Sequence, residues 1–234
     1  MYIPFFQLNH SRVPILSYDQ IDEMAESFIE DFQPDVFAQP EAIDIEGFVE
    51  CYLGMTPDYQ YLSHNGIYLG MTVFNATDKI PVYDPIRNRA EYISASAHTV
   101  IIDRSLLEDD KQEHRYRFTV GHEAGHDIFH QQYFKIDLGP LSLLKINIET
   151  EPLVLCRKDS IHIRKKNTET WGDHEWLEWQ ANCFSSCILM PRKAVVKTVN
   201  SVGIKEAVLK VSEVFNVSEE AAKYRLIGLK YISE

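Results

Sequence analysis

Apolar residues recur at helical spacing in the first fifty residues of the chain. In residues 17–31, Ile21 and Phe28 fall on one side of a helix, and Ser17 stands where it can cap the N-terminus. The same spacing predicts a second amphipathic helix through about 41–53. The N-terminal part of the chain is therefore predicted to be helical.

The pattern changes between about 59 and 103 to short runs of β-branched and aromatic residues. These runs are 67–69, 72–74, 81–83 and 98–102. Asn65-Gly66 and Asp84-Pro85 mark turns between them. A small β-sheet is predicted here.

A long connection follows at 131–173. Residues 153–156 and 161–164 are strand-like and are separated by the polar residues 158–160, which predicts a hairpin. Basic residues cluster around it, and we interpret them as a solvated hairpin tip.

The segment from Asp173 to Pro191 is apolar on most of its helical faces. Such a helix is predicted to be buried. Pro191 ends it, because proline disfavours helical geometry at the residue before it. The remaining polar positions form a stripe of Glu178, Asn182 and Ser185.

Two further helices are predicted within residues 205–231, with a turn at 216–218. They resemble a helix-turn-helix, but basic and acidic residues are nearly balanced, so we predict a helical hairpin packed on the rest of the chain. The expected organisation is one domain over 1–192 and a C-terminal helical segment over 193–234.

The composition of the chain argues against several classes of protein. The net charge of −12 argues against direct nucleic-acid binding, which needs a basic surface. No run of the sequence approaches the ~20 apolar residues that are needed to span a bilayer. The N-terminal residues lack the features of an export signal. The four cysteines show no CxxC spacing. The expectation is a soluble cytoplasmic protein with reduced thiols and no membrane partner.

The candidate chemistry lies in residues 122–126, His-Glu-Ala-Gly-His. His122 and His126 are four residues apart, so on a helix they lie on one face and can hold one Zn²⁺. Glu123 is rotated away from them and is the candidate general base. Thr119 is a candidate N-cap for this helix, and the poor helix former Gly125 suggests that another backbone packs closely there.

A catalytic zinc site needs a third protein ligand. The class with a third histidine, HExxHxxGxxH, is excluded because Phe129 and Gln132 occupy its last two motif positions. A glutamate from the buried helix is the alternative, since a buried carboxylate must be paired or bound to a cation. Glu178 is the best candidate and Glu175 the second; an ion pair of Glu178 with a basic residue is the competing interpretation.

Two further polar residues are candidates for supporting the ligands. Asn182 follows Glu178 by one helical turn and could orient a ligand, and His130 falls one turn beyond His126. For His130, a role at the helix end or on the surface is the preferred interpretation, and contact with the site is the alternative.

With these motifs the chain resembles the ImmA/IrrE family of zinc metallopeptidases. Residues 117–130 (RFTVGHEAGHDIFH) are similar to the family's RFTxxHExGHxxxH core, and the segment from 178 to 191 is similar to its ExxANxFAxxLLMP helix. The family's glutamate ligand corresponds to Glu178. The resemblance extends more weakly over about 41–230; the longer connection between the motifs and Ser185-Ser186 depart from the family pattern.

The resemblance implies an α+β, zincin-like metallopeptidase domain, in which a short sheet packs on the HExxH helix and on the helix carrying the glutamate ligand. It implies Zn²⁺, with Mn²⁺ as a substitute, and His122, His126 and Glu178 as ligands. It also implies a cytoplasmic protein substrate, a helix-turn-helix repressor of the Xre type, whose cleavage relieves repression of mobile-element or stress genes. Two alternatives stay open: a non-proteolytic protein that binds a repressor around a structural zinc, and a DNA-binding regulator acting through the C-terminal helices.

Overall fold

The computed structural model describes residues 1–134, 153–157 and 170–233. In these residues the chain is an α+β protein, as the sequence predicts. Its helices are α1 (Tyr18–Phe32), α2 (Ile45–Gly47), α3 (Glu113–Phe134), α4 (Asp173–Leu189), α5 (Arg192–Val202), α6 (Ala207–Phe215) and α7 (Glu219–Gly228). Its strands are β1 (Thr56–Gln60), β2 (Tyr68–Val73), β3 (Thr77–Asp84), β4 (Arg89–Ala95), β5 (Thr99–Asp103) and β6 (Leu153–Arg157).

Helix α1 begins where the sequence predicts. The Ser17 hydroxyl accepts a hydrogen bond from the backbone N–H of Gln20, and the Gln20 side chain accepts one from the N–H of Ser17. This reciprocal pair satisfies N–H groups that the first helical turn leaves without partners. Ile21 and Phe28 are completely buried, so the predicted apolar face is confirmed.

The second predicted helix is shorter than the 41–53 expected. The Asp44 carboxylate accepts from the N–H of Gly47 and caps a short α-helical turn, α2. The chain then continues as a π-helical turn over Phe48–Tyr52. A side-chain cap at Asp44 thus fixes the start of the helix later than the apolar spacing alone indicates.

The main sheet has the strand order β1-β5-β2-β6. β1 runs parallel to β5, and β2 runs antiparallel to both β5 and β6. The runs predicted separately at 67–69 and 72–74 are parts of one strand, β2, in which Thr72 pairs with Val100 of β5 and Val154 of β6. β3 and β4 form a separate two-stranded sheet.

Helix α3 begins at Glu113, six residues before the predicted cap. Thr119 lies inside the helix, where its hydroxyl donates to the backbone carbonyl of Arg115. The prediction of Thr119 as an N-cap was therefore wrong, because a threonine can satisfy its hydroxyl one turn back along the helix it belongs to. The longer helix carries its buried residues from Tyr116 to His130.

Helix α4 packs along α3 and is buried over most of its length. A Cβ at Gly125 would come within 3.1 Å of the Ala181 Cα and 3.2 Å of the Phe184 Cβ. The expectation that another backbone lies close to Gly125 is thereby confirmed. α4 ends at Leu189, just before Pro191, as the sequence predicts.

The C-terminal helices α6 and α7 form the expected hairpin. Asn216 ends α6 in the left-handed conformation, and the Ser218 hydroxyl caps α7 by accepting from the N–H of Ala221. Arg225 of α7 is buried and contacts Asp22 of α1 and the carbonyl of Met190 at the end of α4. A buried ion pair between Arg225 and Asp22 thus joins α7 to α1. The division of the chain into two domains at residue 193 stays a prediction.

Of the connection after α3, the structure describes β6. This strand corresponds to the first strand of the predicted hairpin, at 153–156. The turn at 158–160, the second predicted strand at 161–164 and most of the basic cluster lie outside the described residues. Across the part of the chain that the structure covers, no helix is at once long and apolar enough to cross a membrane.

Candidate metal centre

Helices α3 and α4 bring two histidines and one glutamate together in the interior. His122 and His126 lie one turn apart on α3, and Glu178 lies on α4; all three are completely buried. The two Nε2 atoms are 2.9 Å apart. The Glu178 carboxylate oxygens lie 3.5 Å from Nε2 of His122 and 3.3 Å from Nε2 of His126. The predicted ligands thus converge on one point.

This arrangement fits a tetrahedral metal ion. Ligand atoms at 2.0–2.1 Å from a tetrahedral Zn²⁺ are about 3.3 Å from one another, which is close to both separations from Glu178 and somewhat longer than the 2.9 Å between the two Nε2 atoms. Both carboxylate oxygens of Glu178 are buried without a hydrogen-bond partner. A buried carboxylate without donors is costly unless a cation compensates it. No basic side chain pairs with Glu178 among the described residues, which argues against the ion-pair interpretation.

Asn182 forms a hydrogen bond with His122. Its Oδ1 lies 2.9 Å from Nδ1 of that ring, and both side chains are buried. Because an amide oxygen only accepts, the proton of the neutral ring is on Nδ1, and Nε2 keeps its lone pair directed towards Glu178. The structure therefore places Asn182 beside a predicted ligand.

His130 lies beside the other predicted ligand. Its Nδ1 is 2.8 Å from Nδ1 of His126, and its Nε2 is 3.0 Å from Oε1 of Gln180. Gln180 in turn donates through Nε2 to the carbonyl of Pro14, at 2.7 Å. His130 is therefore completely buried next to His126 and does not lie at the surface.

Burial keeps these rings neutral. It lowers the pKa of His122 to about 4, with His126 adding to the effect, and that of His126 to about 3. Burial also holds the pKa of His130 well below its usual value. A neutral imidazole is the form that binds a metal ion.

Glu123 occupies a pocket between α3 and β2. Its Oε2 accepts from the hydroxyl of Thr72 at 2.6 Å, while Oε1 is buried without a hydrogen-bond partner. Gly70 lies against the same carboxylate, where a Cβ would come within 2.6 Å of Oε1. Burial raises the pKa of Glu123 well above its usual value, and the nearby Glu178 adds to this, against the hydrogen bond from Thr72. Such an environment favours proton transfer to this carboxylate.

Glu175, the second candidate for the third ligand, lies elsewhere. Its Oε2 accepts from the N–H of Gly172 at 3.0 Å, and the side chain is exposed at the start of α4. It contributes to the N-terminal cap of the helix and does not join the buried group.

Sequence reasoning missed three residues of this site: Gly70, Thr72 and Gln180. Nothing in the spacing around Gly70 or Thr72 connects β2 with a glutamate about fifty residues later. Gln180 carried a usable signal, since it is a polar residue in a helix that is otherwise mostly apolar, two positions after Glu178. It was missed because it falls outside the stripe of Glu178, Asn182 and Ser185.

The fold and site together define a class: an α+β protein in which two helices form a buried His-His-Glu group able to hold a metal ion. Residues 153–227 match the family model of the IrrE N-terminal-like domain, peptidase family M78. The resemblance to the ImmA/IrrE family is thereby confirmed. The matched segment includes Glu178 and most of the C-terminal helices and begins after His126. No curated protein sequence gives a match to the chain.

Proposed function

We propose that this protein is a zinc-dependent endopeptidase with a zincin-like catalytic domain over 1–192. His122, His126 and Glu178 would hold the Zn²⁺, and Mn²⁺ could replace it. The observation that carries the proposal is the pair of buried Glu178 oxygens that lack donors and face two histidine nitrogens. Two histidines and a glutamate form a known ligand set of catalytic zinc, which keeps a fourth position open.

Glu123 is proposed as the general base. A bound Zn²⁺ would supply a Lewis acid that acidifies water and polarises the scissile carbonyl. Glu123 takes the proton of the attacking water on its free Oε1 and returns it to the leaving amine nitrogen. Thr72 holds the other oxygen in place, so that only one carboxylate oxygen is available for this transfer.

The Glu123→Gln variant tests this function. We expect it to bind one Zn²⁺ per chain, measured by elemental analysis after dialysis, and to lose peptide cleavage by several orders of magnitude. Glu178→Gln is expected to lose the metal. Glu175→Gln is the matched control, because it makes the same change on an exposed glutamate of α4, and it should retain both properties. Cleavage by Glu123→Gln at the rate of the unchanged protein would refute the role of this residue.

The proposed substrate is a cytoplasmic helix-turn-helix repressor of the Xre type. The family resemblance supports this, and the net charge of −12 suits a basic protein partner. The C-terminal segment at 193–234 is proposed to help dock the repressor.

Co-incubation with Zn²⁺ and a repressor encoded beside the gene should give discrete fragments by mass spectrometry. Glu123→Gln should leave that repressor intact. The same variant decides the open alternative of repressor binding around a structural zinc: a protein that acts by sequestration would still relieve repression when Glu123 is replaced. Derepression that survives this change would therefore overturn the proteolytic function.

A further inference from the structure

A chain of hydrogen bonds runs from the N-terminal segment to the metal centre. It starts at the carbonyl of Pro14, passes through Gln180 and His130, and ends on Nδ1 of His126. The opposite nitrogen of that ring, Nε2, faces His122 and Glu178. Gln180 and both rings are buried, so water does not compete for these bonds.

We propose that Gln180 is a positioning residue, which sets the tautomer of His126 through His130 and thereby keeps Nε2 of His126 free for a metal ion. The inference rests on the proposed metal site and deepens it. It concerns which nitrogen of a ligand carries the proton, a property that the hydrogen bond at the other ring nitrogen decides.

The Pro14 carbonyl determines which group donates in each of these hydrogen bonds. A backbone carbonyl can only accept, so the amide NH₂ of Gln180 faces Pro14 and its Oε1 faces His130. An amide oxygen can also only accept, so His130 carries its proton on Nε2.

The same reasoning applies to the imidazole rings of His130 and His126. Since burial favours the neutral imidazole, Nδ1 of His130 is left as an acceptor. His126 must then donate from Nδ1, and its Nε2 carries a lone pair. A proton on that Nε2 would instead lie within the group of His122 and Glu178, where it would exclude a cation.

The starting carbonyl is itself held in place. The side chain of Asn9 accepts from the N–H groups of Ser11 and Val13, and Leu8 and Pro14 form a β-bridge across this turn. The turn therefore presents the Pro14 carbonyl at a fixed position against α4. Gln180 and Glu178 both belong to α4. This helix therefore supplies the proposed ligand Glu178 and also the residue that orients the proposed ligand His126.

One substitution of Gln180, set beside a matched control, separates this role from simple packing. Gln180→Met has a similar size but offers His130 no acceptor, so His126 can take the other tautomer. Ser185→Ala is the matched control, because Ser185 also lies buried on α4 and donates to a backbone carbonyl, that of Phe118, outside the chain of bonds.

Zinc affinity is measured by competition with a chromophoric chelator. We expect Gln180→Met to bind Zn²⁺ about 10–100-fold more weakly than the unchanged protein, the usual effect of losing a residue that orients a histidine ligand. Ser185→Ala should stay within about threefold, even where a lower melting temperature shows that stability has fallen, because its hydroxyl contacts neither ring. Equal affinity of Gln180→Met and the unchanged protein would overturn the proposal.

A second measurement does not depend on metal. Long-range ¹H–¹⁵N spectra of the metal-free protein report which ring nitrogen of His126 is protonated, with the signal assigned by its loss in His126→Gln. The expected result is protonation at Nδ1 in the unchanged protein and in Ser185→Ala, and a gain of the Nε2 form in Gln180→Met. Protonation at Nε2 in the unchanged protein would refute the role of Gln180. If no variant binds metal but the spectra agree, the proposed function fails while the tautomer assignment stands.

Discussion

The Cα of Gly70 lies so close to Glu123 that a Cβ built on it would come within 2.6 Å of Oε1 of that glutamate. It would also lie 2.8 Å from the Cγ2 of Thr119, so the added methyl group would clash with two side chains of α3. The absence of a side chain at this position of β2 is therefore what lets the proposed general base occupy its pocket.

Gly70→Ala should accordingly displace Glu123. We expect kcat for peptide cleavage to fall by about 10²-fold, because a displacement of about 1 Å in a catalytic group has effects of this size. The proposed metal ligands lie on other positions of α3 and α4, so zinc content should stay at one ion per chain. Steady-state kinetics together with elemental analysis check this, and an unchanged kcat would show that the Glu123 side chain tolerates the new methyl group.

The hydroxyl of Thr72 is predicted to hold Glu123 in its reactive position. Thr72→Val has nearly the same shape but cannot donate, which leaves the second buried oxygen of Glu123 without a partner. The unpaired group should cost about 1–3 kcal/mol of stability, and kcat should fall. Thr72→Ser keeps the hydroxyl and should retain most of the activity. If the valine and serine variants are equally active, the hydrogen bond has no part in catalysis.

Close packing of α3 on α4 is predicted to make Gly125→Ala destabilising. Alanine favours a helix over glycine by about 1 kcal/mol, but here its Cβ would lie 3.1 Å from the Ala181 Cα. Overpacking costs typically about 1–3 kcal/mol, so we expect a net loss of up to about 2 kcal/mol in urea unfolding. Zinc affinity should weaken as well, because Glu178 moves with α4. A variant stabilised by the full helix propensity would contradict this account of the interface.

The buried Arg225 is predicted to join α7 to the N-terminal helices. Arg225→Met removes one of the two arginines that donate to Asp22, which is completely buried, and the loss of a buried partner costs about 3–5 kcal/mol. Arg192 also donates to Asp22, so we expect the lower end of this range. Arg115→Met, the same change on an exposed arginine, should shift stability by less than about 0.5 kcal/mol.

Urea unfolding of these arginine variants also tests the division of the chain at residue 193. One cooperative transition followed by tryptophan fluorescence and by helical circular dichroism would place α7 in the same folding unit as α1 and α4. A separate early transition that leaves zinc bound would support an independent C-terminal segment.

Features that depend on residues close together in the sequence could be predicted from the sequence. The spacing of His122 and His126 predicted that both rings face one direction, and the polar position of Glu178 in an apolar helix indicated a buried carboxylate. The caps at Ser17 and Ser218 and the end of α4 before Pro191 depend equally on local hydrogen bonding and backbone sterics. The start of α3 was missed because Thr119 satisfies its hydroxyl within the helix as well as it would at a cap.

By itself, then, the sequence determined the helical pair of histidines, the glutamate between them and the helix that carries Glu178, because these depend on a 3.6-residue period and on the cost of burying a charge. Only the tertiary structure decided that Gly70 and Thr72 of β2 enclose Glu123, and that Pro14 and Gln180 reach His126 through His130. Apart from the contact between His130 and His126, which lie one turn apart on α3, these contacts join residues from about 50 to more than 160 positions apart. No local preference encodes them, since they arise from the packing of α3 and α4 against the sheet and the N-terminal turn.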